Sequence, residues 1–163
     1  MLLIKSPITG TSFTYTCPSG EQKVESYIVV AVNTAGESDL SGAQDLIIGT
    51  PYAMPFTESF KSGAFTYYWE TDLQSGLMKT TFEAPASDGD GYALKVKGYA
   101  SSSSYAVGKP YYAKFTSGKI DLTDAVAPQL TFDVKGDASP TITVYAITND
   151  NTKTKIGQFN AQK

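Results

Sequence analysis

The chain has 163 residues, 41% hydrophobic and 18% charged, with a net charge of −3. That is long enough for one domain, or a small domain plus part of another, with a packed core. All 13 cationic residues are scattered lysines; without arginine the bidentate fork that reads phosphate or guanine is missing, which argues against nucleic acid. There is no His and a single Cys, Cys17, so a Ser-His-Asp triad, a Cys-His dyad, His-ligated zinc or haem, a Cys-rich metal site and an internal disulfide are excluded.

The opening residues MLLIKSP are too short an apolar run for a signal h-region or a membrane span, and no other stretch approaches the length of a span. The polypeptide therefore reads as soluble with no membrane insertion, any export signal lying upstream. Cys17 is expected to be a small buried hydrophobe.

Strand signals dominate from there on. SFTYT (12–16) alternates, with Phe13 and Tyr15 on one face. VESYIVVAV (24–32) is β-branched and aromatic, and it runs into the turn Asn33-Thr34-Ala35-Gly36. AQDLIIG (43–49) is the next run. GTPYAMP (49–55) carries two prolines that cannot both donate into a central sheet, so it predicts a linker or a stiff edge segment, and a boundary between 1–50 and 51–163.

Further strands are predicted at FTESF (56–60), AFTYYWET (64–71), MKTTFEA (78–84), YALKVKGYA (92–100), YYAKFTSGKI (111–120), QLTFDVKG (129–136), TITVYAIT (141–148) and KIGQFNA (155–161). In YALKVKG, Tyr92, Leu94 and Val96 alternate with Ala93, Lys95 and Lys97, which is period two with one wet face. QLTFDV repeats the device, with Leu130, Phe132 and Val134 predicted inward. Phe65, Tyr67 and Trp69 alternate against Tyr68. No run of ten residues has period 3.6; a single turn is expected near 122–127. Both ends look cut, which predicts a fragment of a longer multidomain protein.

Residues 12–48 resemble the C-terminal half of a fibronectin type III domain, on Tyr27, Val29, Ala31, Asn33, Gly36, Glu37 and Ser38 followed by the run at 43–48. Residues 51–163 resemble a cleaved-adhesin or choice-of-anchor J jelly roll, akin in shape to MAM domains, on PYAMPFTESF, Trp69, GYALKV and SGKIDLTDAVAPQLTFDV. The resemblance implies an all-β chain: a partial fibronectin type III sandwich followed by a jelly-roll β-sandwich. It also implies a non-catalytic adhesion module of bacterial secreted surface proteins, outside the cell or on its surface, with neighbouring domains of the same chain and a host or matrix protein or glycan as partners.

Three patches bear on chemistry. In ASDGDGYALKV, Asp88 and Asp90 flank Gly89, and carboxylate oxygens suit calcium. An EF-type loop fails, because Ala86 and Lys97 stand where acids are needed; a plain Gly-Asp turn is the alternative. The resemblance implies that a structural calcium would add Glu58, fastening the first strand to the loop. In ETDLQS, Glu70 and Asp72 fit two places of a glucanase strand, but Gln74 and Ser75 stand where the third carboxylate belongs, which argues against an enzyme. The aromatic set Tyr67, Tyr68, Tyr99, Tyr105, Tyr111 and Tyr112 divides between sandwich core and, where exposed, a surface on which sugar rings can stack. The alternatives to adhesion are a passive spacer between domains and an accessory carbohydrate-binding module of a secreted hydrolase.

Overall fold

A computed structural model describes residues 8, 10–74, 76–86, 89–98, 112–136 and 141–160. The chain is all-β: no described residue is helical, and the strands pair antiparallel in small sheets. It divides into two compact units, Met1–Ala125 and Val126–Lys163.

The first unit opens with a long hairpin. β1 (Lys23–Tyr27) pairs with β4 (Gln44–Ile48), Lys23 opposite Ile48 and Tyr27 opposite Gln44. Two serine hydroxyls extend it: Val29 N donates to Ser41 Oγ at 2.8 Å and Ala31 N to Ser38 Oγ at 3.0 Å. The same serines return their own N–H groups to Val29 O and Ala31 O, each at 2.9 Å. Side chains thus satisfy backbone donors where the regular ladder stops. The tip pairs β2 (Val32–Asn33) with β3 (Gly36–Glu37) across Thr34 and Ala35. There Asn33 Oδ1 accepts from Ala35 N at 2.8 Å, and Gly36 takes a φ of 131° that suits a residue without Cβ.

β5 (Trp69–Leu73) pairs with β8 (Ala113–Ser117) across an excursion that contains the hairpin of β6 (Met78–Glu83) and β7 (Ala93–Gly98). In that hairpin Phe82 lies opposite Leu94 and Thr80 opposite Val96, while Glu83, Thr81 and Lys79 face Ala93, Lys95 and Lys97. The alternation expected for 92–97 holds in part: Leu94 lies opposite the core residue Phe82, but Val96 is exposed. The hairpin's polar face is tied by Glu83, which Lys95 and Lys97 approach at 2.6 and 3.3 Å. Its apolar face meets the aromatic core: Phe82 is 6.4 Å from Phe60 and 5.4 Å from Phe65, and Phe65 stacks on Trp69 at 5.9 Å. A second cluster joins Tyr52, Phe56 and Tyr67, with ring separations of 4.8 to 5.4 Å.

One side chain ties the long hairpin to residues 118–121. Gln22, only 6% exposed, receives Lys119 N on Oε1 at 2.6 Å and donates Nε2 to Lys119 O at 2.9 Å. A primary amide can pair with a peptide group in this two-bond manner because it carries the same donor and acceptor. Tyr52 N adds a bond to the same carbonyl at 2.9 Å, Asp121 N donates to Tyr52 O at 2.8 Å, and Tyr52 bridges Ile120 in parallel. Close approach requires glycine twice. A Cβ on Gly118 would lie 2.7 Å from Gln22 Oε1, and one on Gly49 (φ 107°) would lie 2.6 Å from Glu21 O. Within the 49–55 run, Tyr52 is held by the isolated bridge to Ile120. Ile48 and Leu77, at 3% and 8% exposure, are the most deeply buried apolar side chains among the described residues.

The second unit contains β9 (Thr141–Ile147) and β10 (Lys153–Asn160), an antiparallel hairpin whose register shifts between Lys155 and Gly157. Phe132 packs on Phe159 at 5.0 Å, and Lys153 Nζ lies 4.1 Å above the Tyr145 ring.

Several expectations are corrected. Residues 12–16, 56–60 and 129–136 form no strand, and the run at 64–71 becomes strand only from Trp69. Leu130, Phe132 and Val134 are exposed at 63, 47 and 45% rather than turned inward, because no described strand pairs with their segment and its alternation has no sheet face to serve. Val96 and Tyr92 are also exposed, each at 42%, Tyr92 lying before β7 and Val96 near its far end. Cys17 is exposed, with Sγ 3.6 Å from Tyr27 Oη. The turn near 122–127 is present, closed by Ala125 N to Leu122 O at 3.1 Å.

Gln22→Ala strands the Lys119 N–H and should lower stability by about 2 kcal/mol. Gly118→Ala, which drives a methyl into the Gln22 amide, should cost a similar amount, about 1–3 kcal/mol. Urea unfolding curves of both variants and of the double variant check this. The double variant should lose less than the sum, since both changes break one contact.

Candidate binding cleft

An open cleft of about 360 Å³ lies in the first unit, its walls drawn from two segments, Gly20–Gln22 and Thr66–Tyr68, together with Tyr52. Each wall is set by a side-chain contact to backbone. Gln22 fixes the first through Lys119. In the second, Tyr52 Oη accepts from Tyr68 N at 2.8 Å, and Tyr68 O accepts from Gly118 N at 2.9 Å. Burial, and then the charge of Glu70, push the Tyr68 hydroxyl above its ordinary value, so it remains a neutral donor and acceptor.

Glu58 completes the second wall from behind. Its Oε1 accepts from Phe60 N at 3.3 Å, and its Oε2 from Thr66 N at 3.0 Å, Tyr67 N at 3.2 Å and Trp69 Nε1 at 3.2 Å. Burial opposes its ionisation, but the N–H groups of Phe60, Tyr67 and Thr66 outweigh that and hold the carboxyl below its ordinary value. Glu58 thereby organises the sharp change of direction between 58 and 69. Phe65 and Trp69 go to one aromatic cluster and Tyr67 to the other, so the three rings expected on one face are divided.

The expected calcium ligands have other partners. Three N–H groups converge on Glu58 Oε2, while Oε1 takes one bond, from Phe60 N at 3.3 Å. Asp90 holds Lys61 Nζ at 2.5 Å, and Asp88 lies outside the described residues. No three metal-ligating side chains converge among the described residues.

Of the expected ligand-binding tyrosines, Tyr67 and Tyr68 come together at the cleft. Tyr112 is exposed at 48%, but it lies beyond the other end of the β5–β8 ladder, opposite Gln74 and six residue steps, or about 20 Å, from Tyr68. Tyr99, Tyr105 and Tyr111 lie outside the described residues. In the strand considered for glycosidase chemistry, Asp72 is paired with Lys114 Nζ at 2.7 Å and Glu70 is exposed. Sequence inspection missed Gln22 and Tyr52. The available signal was Gly118 inside a strand-like run, which marks close approach of another group.

The Glu58 carboxyl is lower in the folded chain than its ordinary value of 4.5. Its contribution to stability is therefore full above that value and is lost as pH falls through the folded value. Glu58→Ala should cost roughly 3 kcal/mol at neutral pH, from donors left without an acceptor. In thermal melts, the gap between wild type and Glu58→Ala should narrow as pH is lowered below 4.5; a gap constant with pH would contradict the assignment.

Compared with known proteins, the chain has no match among family models, curated proteins or solved structures.

Proposed function

We propose that this chain is a non-catalytic adhesion module of an extracellular bacterial multidomain protein, and that it binds a glycan in the tyrosine-lined cleft. On this proposal residues 1–50 close a fibronectin type III domain and residues 51–163 belong to a jelly roll of the choice-of-anchor J type. The observation that carries the binding proposal is the convergence of Tyr52, Tyr67 and Tyr68 with Glu21 and Gln22 around one open cleft. Tyrosine rings offer an apolar body with a polar edge, which matches the alternation of C–H faces and hydroxyls on a sugar. The non-catalytic reading rests on the carboxylates: Asp72 is neutralised by Lys114, and Glu58 is committed to N–H donors. Glu70 shares the β5 face with Asp72, but Gln74 and Ser75 stand where the third carboxylate of such a strand belongs.

A glycan array tests this directly. Wild type should be retained on a defined subset of glycans, and Tyr68→Ala should weaken retention about tenfold, equivalent to about 1.4 kcal/mol, with little change in melting temperature. Retention of wild type on no glycan would favour the spacer, and equal retention of Tyr68→Ala would move the binding surface away from the cleft.

A further inference from the structure

We infer that Glu58 is the positioning residue for the tyrosine wall of the cleft, and that the cleft is assembled by the chain's own donors without calcium. Glu58 lines no part of the cleft. It acts through Thr66 and Tyr67, both of which do and both of which donate their backbone N–H to Glu58 Oε2. The same oxygen accepts the Trp69 indole, which belongs to the aromatic core, so one atom couples the core to the cleft wall.

The first bond of the set, from Phe60 N, holds a backbone that a bulky residue rarely adopts. Phe60 has a φ of 58°. Its carbonyl accepts from Gly63 N at 2.9 Å and its ring packs against Phe65, Trp69 and Phe82. Amide, carbonyl and ring are all engaged, which is how an unfavourable φ persists. The 89–91 loop lies against the same place, through close backbone packing at Gly91 and an exposed ion pair. Lys61 Nζ reaches Asp90 at 2.5 Å, and Gly91 packs so closely that a Cβ would lie 2.7 Å from Lys61 O. A calcium ion joining Glu58 to this loop would have to compete with Phe60 N at Oε1 and displace the Lys61 ammonium from Asp90. The chain instead supplies an ammonium for one carboxylate and four N–H groups for the other.

The consequence for ligand binding rests on the proposed glycan site; the consequence for structure does not, and the two separate experimentally. The chain has one tryptophan, so a proton–nitrogen correlation spectrum of the labelled full chain shows one indole N–H peak. That peak and the Tyr67 amide should stay in place when calcium chloride is added to about 10 mM, tenfold above the weakest extracellular calcium modules, and when EDTA replaces it. In Glu58→Gln both should move upfield as the charged acceptor is lost, while the Tyr112 amide stays. Glycan retention by wild type should be equal in calcium and in EDTA and should fall at least about fivefold in Glu58→Gln. A saturable calcium shift of the indole peak would overturn the inference, and so would an unmoved indole peak in Glu58→Gln. Should that variant not fold, the calcium titration of wild type decides alone. Absence of any glycan retention by wild type would end the proposed function while leaving both spectroscopic outcomes decisive for Glu58.

Discussion

The two-bond pairing of the Gln22 amide with the Lys119 peptide is the constraint on which the first unit depends. A long hairpin has two hydrogen-bonding edges and two faces, and little of its own with which to hold a neighbour. Gln22 supplies what a further strand would, a donor and an acceptor at peptide spacing, across 97 residues of sequence. Burying a primary amide is costly unless its polar atoms are matched, and here both are. The same bonds seat Tyr52 beside Ile120 and bring Gly118 under the amide. Gly118 and the placement of Tyr52 therefore follow from one contact, while Gly49 answers to the backbone of Glu21 and Gln22 beside the β1–β4 ladder.

The cleft inherits its geometry from this arrangement. One wall follows Gln22; the other follows Glu58, which gathers four N–H groups from a segment that forms no regular ladder until Trp69. In both walls a side chain serves backbone groups that no strand serves. Hydrogen bonds to an ionised acceptor are stronger than neutral ones, and a carboxylate with several donors resists both rotation and displacement. By contrast, the exposed pairs Lys95–Glu83 and Lys114–Asp72 lie on strand faces open to water, where ion pairs contribute little. The charges that matter to this unit are the ones that act on the backbone.

Sequence pattern conveyed the strands well where pairing partners lie nearby. The hairpin tip at Asn33–Gly36 and the strands within 43–49, 78–84, 92–100 and 141–148 follow from local turn chemistry and strand propensity. It failed at 12–16, 56–60 and 129–136, which alternate equally well. Alternation describes which side a residue would face; it does not say that a partner strand exists. At 56–60 the failure has a specific cause. Phe56 and Phe60 share a period-two face only in extended backbone, and the left-handed φ of Phe60 sends the two rings into different clusters. The cleft was half legible: an aromatic run at 65–69 pointed to Tyr67 and Tyr68, but no local pattern places Gln22 or Tyr52 against them.

Glu58 shows how a residue singled out in the sequence for one role acquires partners in the fold that no sequence pattern announces. An acid on an early segment and a Gly-Asp loop further on suggest two halves of a cation site, and the fold does bring their neighbourhoods together through Lys61 and Asp90. The sequence could not reveal the competitors. Backbone N–H groups are present at every residue except proline, so they leave no mark in composition, yet at Thr66, Tyr67 and Phe60 they occupy the carboxylate. A fastening built this way is encoded in the chain alone. Its strength is set by the ionisation of one carboxyl and by the aromatic packing that holds Trp69 and Phe60 within reach, so the wall of the cleft and the core behind it must form together.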